Sequence, residues 1–131
     1  MIVTSGRRKR AIARAVIKEG TGKIFVNKKG YMTLGMFDRL KIEEPIRIAK
    51  EVLGHTNFDV EIKMKGGGEK SQIEAARLSL ARAIVELSKS AELKKAYVEY
   101  DRNLLVADVR RKETYKPGDS KARRRRQKSY R

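Results

Sequence analysis

The stretch FDVEIKMKGGGEKSQIEAARLSLARAIVELSK, residues 58–89, contains the two clearest secondary-structure patterns of the chain. Apolar and polar residues alternate over residues 58–65, which predicts a strand with one buried face. Gly66 to Gly68 interrupt that pattern, and apolar residues then recur with the helical period. This predicts a helix of about five turns over residues 71–88. Because its apolar stripe is wide, we expect it to be the central helix, lying across the sheet.

Two β-rich segments precede this unit. Residues 11–18 (AIARAVIK) alternate, with small residues on one face that allow close packing, and Arg14 and Lys18 on the other. The glycines of EGTG (19–22) predict a turn into a second strand over residues 23–27, KIFVN. Together the two segments are expected to form a hairpin.

Further elements are predicted on either side of the central helix. Residues 31–54 have a helical pattern, with Pro45 suited to a first turn and Gly54 to the helix stop. The segment AELKKAYVEY (91–100) predicts a short helix, and NLLVADV (103–109) predicts a last strand. The expected fold class is therefore α+β, with helices covering one face of a sheet.

Positive charge is concentrated at the two ends of the chain. The net charge is +17, of which residues 7–10 (RRKR) carry +4 and residues 110–131 carry +9. We therefore expect cationic arms at both ends and a polyanion as the partner. Nucleic acid is favoured over a membrane, because the tail offers only Tyr115 and Tyr130 as anchoring side chains and no apolar run could span a bilayer. Composition does not distinguish RNA from DNA.

The last eleven residues, KARRRRQKSYR (121–131), contain seven cations and no acid. Arginine predominates at their centre, and its planar guanidinium suits bidentate phosphate contacts and stacking on bases. Pro117 and Gly118 predict a hinge, so we divide the chain into a globular part, residues 1–115, and an extended basic tail, residues 116–131. At ~3.3 Å per residue, the eleven residues span roughly 36 Å when fully extended.

No group of residues supports an enzyme, a cofactor, a small-molecule substrate or a metal site. The chain has no cysteine and one histidine, His55, which is interpreted as an ordinary loop residue. Gly66 to Gly68 could cradle a phosphate before a helix, but the dinucleotide and P-loop patterns are missing, so a plain strand-to-helix turn is favoured. The lack of cysteine and of a secretory signal favours a cytoplasmic protein.

Four segments carry a family resemblance. They are GRRKRAIARAVIKEGTGKIFVN (6–27), VEIKMKGGGEKSQIEAARLSLARAIVEL (60–87), DRNLLVADVRRKE (101–113) and KARRRRQKSYR (121–131). These segments resemble the small-subunit ribosomal protein S-nine family, and its archaeal and eukaryotic branch most closely. The resemblance implies a structural protein with a mixed four-stranded sheet and helices on one face, similar to the second domain of ribosomal protein S-five. It also implies binding to 3′ major domain rRNA in the head of the small subunit, beside neighbouring ribosomal proteins.

The resemblance further implies roles for individual residues. The tail would thread through rRNA toward the peptidyl site, where its last residues approach the bound tRNA. The tRNA-facing residues would be Lys128, Ser129, Tyr130 and Arg131. The expected rRNA-binding residues are Arg7, Arg8, Lys9, Arg10, Arg14, Arg110, Arg111, Lys112, Lys121, Arg123, Arg124, Arg125 and Arg126.

The alternative from another class is a basic nucleoid protein or RNA chaperone that binds without a fixed site. Such a protein needs positive charge, but it does not need an amphipathic globular part joined through a hinge to an Arg-rich terminus. The ordering of these features along the chain therefore favours the ribosomal interpretation.

Overall fold

The computed structural model describes residues 1–107, which form one mixed sheet with three helices on one of its faces. The strands are β1 (Ile2–Arg8), β2 (Ala11–Glu19), β3 (Ile24–Val26), β4 (Lys29–Gly30) and β5 (Phe58–Lys65). The helices are α1 (Met36–Leu53), α2 (Glu69–Ser88) and α3 (Ala91–Tyr100), and 3-10 turns occupy Tyr31–Thr33 and Arg102–Leu104. The sheet order is β1-β2-β5-β3-β4, and β3 runs parallel to β5 whereas the other neighbouring pairs are antiparallel.

The α+β class and the placement of helices on one sheet face are confirmed. The strand predicted over residues 58–65 is β5, and the central helix begins two residues before its predicted start. Ala11, Ala13 and Ala15 are fully buried beneath α2, which can approach because these side chains are small. Gly54 ends α1 in the left-handed conformation, with φ at 79°. The predicted tail, residues 116–131, lies outside the described residues.

The prediction of a cationic arm at the N-terminus is wrong, because residues 2–8 form the edge strand β1. The expected number of four strands is also wrong, since the sheet has five. The residues that β1 turns toward α2 include Thr4 and Gly6, so its sequence lacks an apolar alternation. The Thr4 hydroxyl donates to the Ser79 carbonyl at 2.8 Å. A Cβ on Gly6 would lie 2.3 Å from the carbonyl oxygen of Ala75, so β1 and α2 touch through their backbones.

The predicted hairpin between residues 11–18 and 23–27 is also wrong, since β5 lies between β2 and β3. The hairpin partner of β2 is β1. One carboxylate oxygen of Asp59, on β5, accepts the backbone N–H groups of Thr21, Gly22 and Lys23 at 3.0, 3.2 and 3.0 Å. These hydrogen bonds fix the loop that carries the chain across β5, and they lower the pKa of Asp59, with the Lys23 N–H making the largest contribution.

We expect replacement of Asp59 by asparagine to destabilise the protein at neutral pH, because a neutral amide accepts these three N–H groups less strongly than a carboxylate. The pKa of Asp59 is depressed in the folded state, so its contribution is present above the unfolded value of about 4 and is lost as the pH falls through the folded value. Urea unfolding of both proteins at several pH values measures this. A difference in unfolding free energy that stays constant down to pH 2 would contradict it.

Three further details of the helical layer differ from expectation. Helix α1 begins at Met36 instead of residue 31, and Pro45 lies inside it instead of in its first turn. The buried Tyr97 hydroxyl donates to the Pro45 carbonyl at 2.7 Å, which ties α3 to this point of α1. Burial also raises the pKa of Tyr97.

The predicted strand over residues 103–109 is replaced by the turn Arg102–Leu104, and the Leu104 side chain is fully buried in the core. Residues 108 and 109 lie outside the described residues.

Candidate nucleic-acid interface

The face of the sheet opposite the helices is open, and its side chains form rows across the strands. At one end of this open face, Arg7, Ile12 and Lys65 are register partners on β1, β2 and β5. The neighbouring row contains Ser5, Arg14 and Lys63. Because these residues alternate with buried ones along each strand, all of them point away from the helices. Four cationic side chains are thus grouped on three adjacent strands.

Two turns bring further cations to the same end. The chain passes from β1 to β2 through Lys9 and Arg10, both exposed. The turn between β3 and β4 is held against the end of β5, since the Asn27 side chain accepts from the Met64 N–H at 2.9 Å, and it presents the exposed Lys28. We call the combined set the basic surface; its members are Arg7, Lys9, Arg10, Arg14, Lys28, Lys63 and Lys65.

The charges of the basic surface are not compensated by acids. Within residues 1–107, the ion pairs involve other cations, and none joins a member of the basic surface to a carboxylate. Arg8 differs from its neighbours because it faces the helices and pairs with Glu74 at 2.8 Å. Uncompensated, exposed cations on adjacent strands attract a polyanion such as a nucleic-acid backbone.

The glycines that precede α2 have a structural role beside the basic surface. Gly66 and Gly67 have φ values of 77° and 62°, which favour glycine. A Cβ on Gly66 would lie 2.8 Å from the Arg10 carbonyl oxygen, and one on Gly67 would lie 2.9 Å from the Ala11 nitrogen. This close packing supports the interpretation as a strand-to-helix turn and holds the end of β5 against the β1–β2 turn.

The helical layer is electrically balanced, in contrast to the strands. Helix α1 contains four basic and four acidic residues, α2 three of each, and α3 two of each. Residues 1–35 contain nine basic residues against one acid. Positive charge in the described part of the chain is therefore carried by the strand side, and within the sheet it is greatest at the end formed by the basic surface.

Five of the predicted rRNA-binding residues can be located. Arg7, Lys9, Arg10 and Arg14 belong to the basic surface, whereas Arg8 lies on the helix side. The sequence reasoning missed Lys28, Lys63 and Lys65. The alternation of residues 58–65 had placed Lys63 and Lys65 on a polar face, but the assumed hairpin hid the pairing of β5 with β2. The remaining predicted sites, residues 110–112, 121, 123–126 and 128–131, lie outside the described residues.

Leu105, near the end of the described residues, is held at the edge strand β1. The Arg82 guanidinium donates from Nε to the Leu105 carbonyl at 3.0 Å and from Nη1 to the Ser5 carbonyl at 2.9 Å. This bridge joins the segment after α3 to the edge strand β1. Leu105 is therefore held at the edge strand that also contains Arg7.

Comparison with known proteins identifies the family to which this arrangement belongs. The family model described as Ribosomal protein S9/S16 matches residues 6–131. The chain belongs to this family. Small ribosomal subunit protein uS9 of Methanococcus vannielii is 46% identical over 134 aligned positions, covering 100% of this chain and 98% of the relative. The uS9 protein of Methanococcus maripaludis strain C7 is 47% identical with the same coverage.

Membership of the S9/S16 family confirms several expectations from the sequence. The chain is an archaeal-type structural protein of the small ribosomal subunit, where it takes part in translation as an RNA-binding component and not as an enzyme. Its predicted cytoplasmic location on the ribosome follows from the same membership. In the part of the chain that the structure describes, no helix is long and apolar enough to cross a membrane.

Proposed function

We propose that this S9/S16 family member binds the 3′ major domain of the small-subunit rRNA in the head through the basic surface, and that its C-terminal tail reaches tRNA at the peptidyl site. The observation that carries the rRNA part is the grouping of seven exposed cations, none paired with an acid within residues 1–107, at one end of the open sheet face. Lysine and arginine on adjacent strands can contact successive phosphates, which position a protein on a folded RNA.

The predicted rRNA-binding residues of the C-terminal segment extend the same chemistry. Residues 110–131 carry eleven basic residues against two acids. The Arg82 bridge supports a shared RNA partner, because it holds Leu105, which precedes this segment in sequence, at the strand that contains Arg7. The proposed rRNA contacts of the segment are Arg110, Arg111, Lys112, Lys121, Arg123, Arg124, Arg125 and Arg126.

Photocrosslinking from the centre of the basic surface tests the rRNA contact. Ile12 is 49% exposed and lies between Arg7 and Lys65, so a diazirine-bearing amino acid at this position samples whatever covers the surface. In assembled small subunits we expect the reaction to join the protein to 3′ major domain rRNA. Crosslinks confined to protein, or to rRNA outside that domain, would contradict the proposal.

Removal of Lys128 to Arg131 tests the tRNA contact. We expect folding and rRNA binding to persist, and the affinity of small subunits for peptidyl-site tRNA to fall roughly tenfold, as expected for the loss of a hydrogen bond to a charged group. The affinity is measured by filter binding of labelled tRNA to subunits that contain the intact or the shortened chain. Equal tRNA affinity of the two kinds of subunit would remove this part of the proposal.

A further inference from the structure

The first turn of α1 and the segment before it expose large apolar side chains. Met32, Met36, Phe37 and Leu40 are 58%, 64%, 79% and 39% exposed, and we call them the methionine patch. Met36 and Leu40 are one helical turn apart, so they share a side of α1. Exposed apolar side chains grouped in this way typically mark an interaction site, and methionine and phenylalanine are common anchors in protein interfaces.

A groove continues from the methionine patch along α1. Its volume is about 430 Å³, and it lies where α1 meets the end of α3. Leu40 belongs to both the patch and the groove, and Ile48 and the 59%-exposed Tyr100 supply further apolar surface. The remaining lining residues are Glu44, Arg47 and Glu51. The two features together form an apolar channel with a polar rim.

The charge of this channel differs from that of the basic surface. Arg47 pairs with Glu43 at 3.0 Å, and Arg77 bonds to both Glu44 and Asp101. Of the charged residues that line the groove, Glu44 and Glu51 are acidic and Arg47 is basic. This small excess of acid favours cationic side chains over a nucleic-acid backbone. An apolar channel with an acidic rim thus fits an amphipathic segment that carries lysine or arginine.

From this complementarity we propose that the methionine patch and its groove dock a cationic amphipathic segment of a neighbouring protein in the small subunit. This inference rests on the proposed function, since it requires the chain to be assembled in the subunit with its basic surface on rRNA. The two layers then have separate partners. The sheet side binds the polyanion, and the electrically balanced helix side binds protein.

Paired photocrosslinking in assembled subunits tests the docking site. The diazirine-bearing amino acid is placed at Phe37 in one variant and at Ile12 in a second variant. Both side chains are exposed, and they lie on opposite layers of the fold. From position 37 we expect a crosslink to a peptide of another subunit protein that contains both apolar and Lys/Arg residues. A crosslink to rRNA, to a second copy of this chain, or to no macromolecule would overturn the inference.

The pair of positions keeps the two proposals distinguishable. A protein crosslink from position 37 without an rRNA crosslink from position 12 would contradict the rRNA contact and leave the docking site standing. The reverse outcome would contradict the docking site alone.

A double substitution provides a second readout. The Phe37→Ser, Leu40→Ser double variant should lower the occupancy of the crosslinked neighbour in purified subunits at least fivefold. The unfolding free energy of the isolated chain should change little, because both side chains are partly solvent-exposed. Val3→Ser, at a 54%-exposed apolar position on the open sheet face, is the matched control and should leave the occupancy unchanged. Equal occupancy in all three kinds of subunit would count against the docking site.

Discussion

Replacement of Gly6 by alanine is expected to destabilise the fold by about 3 kcal/mol or more, which is the upper range for an overpacked contact. The added Cβ would lie 2.3 Å from the Ala75 carbonyl oxygen and 2.7 Å from the Ser79 nitrogen. Both are backbone atoms of α2, so no side-chain rotation can relieve the clash. The edge strand β1 must therefore move away from the helix, and the buried hydrogen bond from Thr4 to Ser79 is lost with it.

Urea unfolding of the isolated chain measures this effect, with Gly30→Ala as the matched control. A Cβ on Gly30 would have no neighbour within 4 Å, so its substitution should change the unfolding free energy by less than ~0.5 kcal/mol. A Gly6→Ala chain that is too unstable to purify agrees with the expectation. A Gly6→Ala chain with the same unfolding midpoint as the Gly30→Ala chain would show that β1 does not pack on α2 as described.

Neutralising four members of the basic surface is expected to lower the affinity for 3′ major domain rRNA by about 10² to 10³ at ~0.15 M salt, if each contacts a phosphate. The substitutions are Arg10→Gln, Arg14→Gln, Lys63→Gln and Lys65→Gln. Each lost contact removes about 0.7–0.9 from the slope of log affinity against log salt, so the slope should become shallower by about 3. Folding should be retained, since all four side chains are exposed and the described ion pairs do not include them.

The control is a chain with the same change in net charge on the helix side. Lys50, Lys89, Lys94 and Lys95 are exposed, lie in or directly beside the helices, and can be replaced by glutamine together. Salt titrations of rRNA binding compare the two variants with the natural chain. Equal losses of affinity in both variants would mean that net charge alone drives binding, and the basic surface would have no special role.

Local patterns predicted the elements whose apolar residues recur with the period of a strand or a helix. The alternation over residues 58–65 and the helical stripe over residues 71–88 identified β5 and α2, because each buries one regular face. Gly54 was recognised as a helix stop since its left-handed conformation is one that glycine adopts easily. The family resemblance supplied the mixed sheet, although it implied four strands where the structure has five.

Strand pairing could not be predicted from local patterns, because it depends on contacts between residues that are distant in sequence. β1 was missed since close contact with α2 requires Thr4 and Gly6 where a typical strand would have large apolar residues. The order of β2, β5 and β3 depends partly on Asp59, whose hydrogen bonds to the loop after β2 lie 36 to 38 residues apart in sequence. Pro45 inside α1 illustrates a tertiary effect, since the α1–α3 packing that includes Tyr97 offsets a residue that disfavours helix interiors.

Only part of the candidate site was predicted, because the rest of it depends on the order of the strands. The run of residues 7–10 and Arg14 indicated nucleic-acid binding through charge alone, which is independent of the strand order. Lys63 and Lys65 join that site only because β5 is the neighbour of β2. Arg8 faces away from it because successive side chains of a strand point to opposite faces of the sheet. This follows only once residues 2–8 are known to form a strand and not an arm.

Recognition of one folded rRNA site by this S9/S16 family member is best measured through its binding to 3′ major domain rRNA over a salt series. Random RNA and duplex DNA of equal length are measured beside it. We expect a preference for the rRNA that persists at high salt, because a fixed arrangement of cations on a rigid sheet matches one arrangement of phosphates. Equal affinities that fall together as salt rises would contradict it and would favour the nucleoid-protein or RNA-chaperone alternative.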